Sequence, residues 1–155
     1  MSYLIAAQLA VREIERYGDE MIAALEALTE EQLWSKKGGI PNSIGTLARH
    51  LTGNLNHYFG AGILGNGYVR DRDREFSETE LPLKKVVSDL MAAVAVAKES
   101  LQAIGEERAG QPHRAPCGEE YESLAHHVVR LATHFARHRG QMQFAERCVA
   151  EWSAQ

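Results

Sequence analysis

Apolar residues recur at alternating three- and four-residue steps along most of the chain, the period of a helix that buries one face. The first run reads Leu4, Ala7, Val11, Ile14, Gly18, Met21, Leu25 and Leu28, and it predicts a helix over about Tyr3 to Leu28. Gly18 is the weak point of that seam, because glycine lowers helix propensity and brings no packing surface. Thr29 and Gln32 then have the spacing of a capping box. The run Lys36-Lys37-Gly38-Gly39-Ile40-Pro41 breaks the chain, after which Asn42 or Ser43 can cap a second helix over about Ile44 to Ile63. Its seam is Ile44, Leu47, Leu51, Leu55 and Tyr58. Ser77 and Glu80 offer another capping box, and Pro82 suits a first helical turn. A third helix follows, carried by Val87, Leu90, Val94, Ala97, Leu101 and Ile104 and closed by Gly105. Gly110, Pro112 and Pro116 make Glu106 to Gly118 a loop. A fourth helix covers about Tyr121 to Trp152, with Leu124, Val128, Leu131, Phe135 and Met142 facing inward.

Four long amphipathic helices without a strand signal predict an all-α fold, a four-helix bundle forming a single domain over residues 1–155. The connections are unequal in length, which leaves up-down-up-down and crossover topologies both open.

Beside the apolar seams run polar stripes: His50, Asn54 and His57 on the second helix, and His127, His134, His138 and Gln141 on the fourth. His134 and His138 are four residues apart, so both imidazoles leave one helix face in the same direction. Their neighbours Leu131, Phe135 and Met142 turn that face toward the bundle interior, where two unpartnered imidazoles would be costly. His50, on a different helix, is the best third ligand. Convergence of the three would give a three-histidine site with an open coordination position, the arrangement of catalytic zinc rather than of a closed structural site. Imidazole also suits Ni²⁺, Fe²⁺ and Cu²⁺, so the ligand set alone leaves the metal open. His57 and His127 each stand seven residues from a proposed ligand, about 10 Å along a helix, and are at most pocket-lining. His113 and His126 read as loop or surface positions. Gln141 and Asn54 can offer hydrogen bonds near the open position.

The composition is that of a globular protein, 45% hydrophobic and 25% charged, with a formal net charge of -4. That charge argues against a nucleic-acid partner, which calls for a concentrated basic surface. Arg70, Arg72 and Arg74 alternate with Asp71, Asp73 and Glu75, and the segment reads as a solvated loop. No apolar run approaches the roughly 20 residues of a membrane span. The N-terminus lacks the basic and apolar regions of a signal peptide. Cys117 and Cys148 form no CxxC and suit a reducing cytoplasm. Cys148 lies ten residues beyond His138, about 15 Å along a helix, and cannot share its metal. Helix four supplies no carboxylate base between Arg130 and Met142. No catalytic triad or phosphate-binding glycine loop is present either.

Two segments carry a family resemblance. They are Asn42-Ser43-Ile44-Gly45-Thr46-Leu47-Ala48-Arg49-His50-Leu51 and His134-Phe135-Ala136-Arg137-His138-Arg139-Gly140-Gln141, with Arg74-Glu75-Phe76 between them. In these and in helix order the chain resembles the DinB/YfiT-like superfamily of small metal-binding four-helix proteins. The resemblance implies a divalent metal, zinc or nickel, held by His50, His134 and His138. It also implies a crossover connection and frequent dimerisation, so a homodimer is expected; the expected partner is a small-molecule substrate, whose identity does not transfer with the fold. Characterised relatives include S-transferases and an isomerase that use low-molecular-weight thiols, so the first expectation is a metal-dependent thiol S-transferase. A metal-dependent hydrolase and a non-enzymatic metal-binding stress protein are the alternatives.

Overall fold

The computed structural model describes residues 2–36 and 39–153. Lys37 and Gly38, in the middle of the predicted break, lie outside them. Helix α1 spans Tyr3–Glu26 and starts where the Ser2 hydroxyl accepts the Ile5 N–H at 3.2 Å. The short α2, Glu30–Trp34, opens on the predicted capping box of Thr29 and Gln32, with both reciprocal bonds formed. Of the two candidate caps for the next helix, Ser43 takes the role, accepting from the Thr46 N–H at 3.1 Å. Helix α3, Ile44–Leu55, continues without a break into nine residues of wider π-helix, Asn56–Leu64. A left-handed Gly65 closes the run.

Between the long helices the structure departs from the expected loops. Arg72–Ser77 forms helix α4, capped by the Asp71 carboxylate. The Ser77–Glu80 pair is therefore no capping box, since Ser77 ends a helix instead of starting one. Helix α5, Leu83–Ser100, follows Pro82, and the Leu83 N–H is satisfied from across the fold by the Glu30 carboxylate at 2.9 and 3.0 Å. Gly105 does not close that helix. The chain tightens to a 3₁₀ turn at Leu101–Ala103, and Gly105 instead precedes helix α6, Glu106–Gly110. Two residues on either side of a tight turn then pair as antiparallel strands, β1 His113–Arg114 and β2 Glu120–Tyr121. Helix α7, Leu124–Ser153, starts three residues later than expected because Tyr121 belongs to β2, and Ser123 accepts the His126 N–H at 3.0 Å.

The four long helical segments are α1, α3 with its π extension, α5 and α7. Helix α1 packs on α5 and α7, and α3 packs on the same two. Chain-consecutive long helices α1 and α3 thus sit diagonally, which is the crossover arrangement rather than up-down-up-down. One apolar cluster fills the centre, with Ile14, Met21, Leu51, Leu55, Phe59, Leu90, Leu124, Phe135 and Met142 fully buried. Gly18 is a point of close approach and not of weakness. A Cβ there would stand 2.8 Å from Val94 Cγ2, so glycine lets α1 and α5 meet. Among the described residues no helix is long and apolar enough to cross a membrane.

Candidate metal centre

Residue spacing and the packing of α3 on α7 bring His50, His134 and His138 together. Each offers a ring nitrogen, and the three nitrogens lie within 4.8 Å of one another. Nε2 of His50 and Nε2 of His134 stand 3.3 Å apart. Two nitrogens about 2.05 Å from one zinc at a tetrahedral angle would stand about 3.3 Å apart, so this spacing is already that of a ligand pair. The rings of His134 and His138 meet edge to face at 4.4 Å, and His50 lies 4.8 Å from His138 between ring centres.

What holds the rings is as informative as the rings themselves. His50, 5% exposed, sets its Nδ1 2.9 Å from Oε2 of Glu75. With Nδ1–H donating to the carboxylate, the lone pair of Nε2 faces the other two histidines. His138 repeats the device, with Nδ1 at 2.7 Å from Oε1 of Gln141. Glu75 is itself clamped: Arg70 donates from Nε to Oε1 at 2.6 Å and from Nη2 to Oε2 at 2.8 Å. Burial alone would raise the Glu75 pKa, but the hydrogen bonds from Arg70 and His50 outweigh it and hold the carboxyl below its usual range. Phe76 packs its ring 5.1 Å from His50.

His134 and His138 are both biased toward the neutral form. Burial, reinforced by His138 and His50, pushes His134 down to about 4. Burial and His50 lower His138 as well, with Gln141 partly opposing them. Neutral imidazole is the form that binds a metal.

The three rings line an open cleft of about 690 Å³. Asn54, His57 and Gln141 line it too, in agreement with the pocket-lining role expected of His57. Sequence reasoning missed Arg70 and Glu75, which a solvated loop would leave exposed. Glu75 is only 5% exposed, because α4 folds back on α3 and drops the carboxylate against the bare backbone of Gly53. Glu75→Gln should keep the helices and weaken metal affinity about 10–100-fold, the usual effect of losing a ligand's orienting partner. A chelator-competition titration checks this, and an unchanged affinity would remove Glu75 from the centre.

His127 belongs elsewhere, and His113 is no mere surface residue. His127, 1% exposed, is stacked between Tyr121 at 4.4 Å and His113 at 4.9 Å, and neither of its nitrogens has a hydrogen-bond partner among the described residues. Burial, aided by His113, lowers it to about 3. His127 and His134 therefore set a pH dependence. Well above 6.5 both are neutral whether folded or unfolded. As pH falls below 6.5, the unfolded chain takes up protons that the folded chain refuses until about 4 for His134 and about 3 for His127. Stability of the metal-free protein should decline across that window. Urea unfolding at a series of pH values should show a shallower decline for His127→Phe, and an identical slope would refute the assignment.

The model of the DinB superfamily matches residues 13–142, and the chain belongs to that superfamily. None of the curated proteins compared matches it.

Proposed function

We propose that this DinB superfamily member is a divalent-metal-dependent enzyme, a thiol S-transferase acting on a small electrophile. His50, His134 and His138 are its metal ligands. The observation that carries the reading is the 3.3 Å separation of His50 and His134 Nε2 at the wall of an open cleft, with the outer nitrogens of His50 and His138 engaged by Glu75 and Gln141. Zinc or nickel in this ligand set would supply a Lewis acid at an open position and lower the pKa of a thiol there.

The chain's own residues do the rest. Glu75 and Gln141 fix the ring orientations, and the Glu75 charge makes His50 a stronger donor. The cleft volume is within the range for a small molecule. In the transfer the thiol sulfur forms a bond to the electrophilic carbon, the leaving group departs with its electron pair, and the thiol proton passes to solvent. No general base is needed if the thiol ionises on binding. Hydrolysis is less well served. Glu75 is held ionised with both oxygens engaged, on the far side of His50 from the other rings, so it is poorly placed to activate water. The thiol class itself rests on the family resemblance, as do the homodimer and the choice of zinc or nickel. The cytoplasmic setting rests on the two unpaired cysteines.

The test is thiol consumption by zinc- or nickel-loaded protein with a panel of low-molecular-weight thiols and alkyl or aryl electrophiles. Metal-dependent turnover lost in His134→Ala supports the proposal. No turnover by fully loaded protein across the panel would sink the S-transferase reading and leave a metal-binding protein.

A further inference from the structure

We propose that the small molecule taken by this centre is an amphiphilic organic anion: a carboxylate or phosphate on an apolar body. The inference rests on the proposed metal-enzyme reading and adds the substrate class to it. Two independent features of the cleft carry it.

The first is charge segregation. The chain as a whole is acidic, with 21 Asp and Glu against 17 Lys and Arg. Yet the charged side chains lining the histidine cleft are Arg70, Arg72 and Arg137, and no carboxylate lines it among the described residues. The Arg70 charge is matched by Glu75 beneath it. Arg72 is seated over the Phe76 ring at 5.4 Å, and no ion pair among the described residues engages Arg72 or Arg137. Two arginines with open guanidinium edges therefore flank the histidines, the arrangement that recognises carboxylate or phosphate.

The second is a contiguous apolar groove of about 510 Å³, which shares Asn42, Arg137 and Gln141 with the cleft. Its further lining includes Ile40, Leu47 and Phe144. Phe144, 60% exposed, gives the groove an aromatic wall. Arg137 stands where the two spaces join. A ligand whose anionic group meets Arg72 and Arg137 would lay its apolar body along Ile40, Leu47 and Phe144, with the histidines beside the junction.

The test uses three probes of one shape: 4-phenylbutyrate, 4-phenyl-1-butanol and 4-phenylbutylamine. Each is titrated by calorimetry into metal-free and zinc-loaded protein of measured zinc content. The expected result is that the carboxylate binds about tenfold more tightly than the alcohol in both forms, with the amine weakest. Arg72→Gln with Arg137→Gln should erase that preference, and Phe144→Ala should weaken carboxylate and alcohol alike. A preference confined to zinc-loaded protein and surviving the double arginine change would place the anion on the metal and overturn the assignment. Equal binding of the three probes by zinc-loaded protein would overturn it while leaving the metal centre intact. A protein that takes up no zinc but keeps the preference would sink the metal reading and leave the anion site standing.

Discussion

His138→Ala protein keeps its helices and loses its divalent ion. His138 is half-buried, and its one hydrogen-bond partner among the described residues is the exposed Gln141, so truncation leaves no buried partner stranded. His50→Ala, by contrast, would deprive the buried Glu75 carboxylate of a partner and mix a folding defect into the result. Removing one of three protein ligands should weaken binding roughly 100-fold or more. Elemental analysis of tag-free protein should find near one equivalent of zinc or nickel in the parent and little in the variant. The linked stability changes in step. An ion present at about 100 times its dissociation constant adds about 2.7 kcal/mol, or about 5–10 °C in a domain of this size. That increment should vanish in the variant while the metal-free melting temperature stays within a few degrees. Equal metal content in both proteins would show that His138 is not a ligand. A parent that takes up neither ion would sink the centre altogether.

The histidine pair on α7 was legible because helix geometry alone makes positions four apart neighbours. The third member was legible because His50 sits in a polar stripe beside the α3 seam, which fixes its side of the helix. The supporting residues were not. Glu75 lies in an alternation of charges that looks the same in a solvated loop, and only the packing of α4 on α3 buries it. The π-helical run at Asn56–Leu64 has no periodic signature of its own. Residues outside that run lie close against it, with Asn66 at Gly60 and Pro116 at Gly62, where a Cβ would come within 2.8 and 3.0 Å. Two-residue strands are too short to show alternation, so β1 and β2 left no trace in the pattern. Crossover packing was open to the sequence for a similar reason: seams say which face is buried, and not against which helix.

The Gly53 position decides whether the centre is built by α4 or merely covered by it. Alanine in a helix interior is ordinarily favourable over glycine by about 1 kcal/mol. Here the added Cβ would stand 2.0 Å from Oε1 of Glu75 and 2.6 Å from its Cδ. The carboxylate has no easy retreat, because Arg70 holds Oε1 and His50 holds Oε2. Displacing it breaks a largely buried charge cluster, an event that costs about 3–5 kcal/mol when fully buried and less here, where Arg70 keeps some exposure. The packing loss should exceed the propensity gain. Gly53→Ala should therefore lower stability by about 2 kcal/mol, and metal affinity should fall about 10–100-fold as His50 loses its orienting partner. The two effects share one cause, so the affinity losses of Gly53→Ala and Glu75→Gln should not add. The double variant should bind metal about as well as the weaker single one. Chemical unfolding and chelator competition on the four proteins of the cycle test this. Additive losses would mean that Gly53 acts through the helix and not through Glu75. A Gly53→Ala protein as stable and as metal-avid as the parent would mean that the carboxylate has room to move, and that the α4 contact is a cover over the histidines rather than part of what aims them.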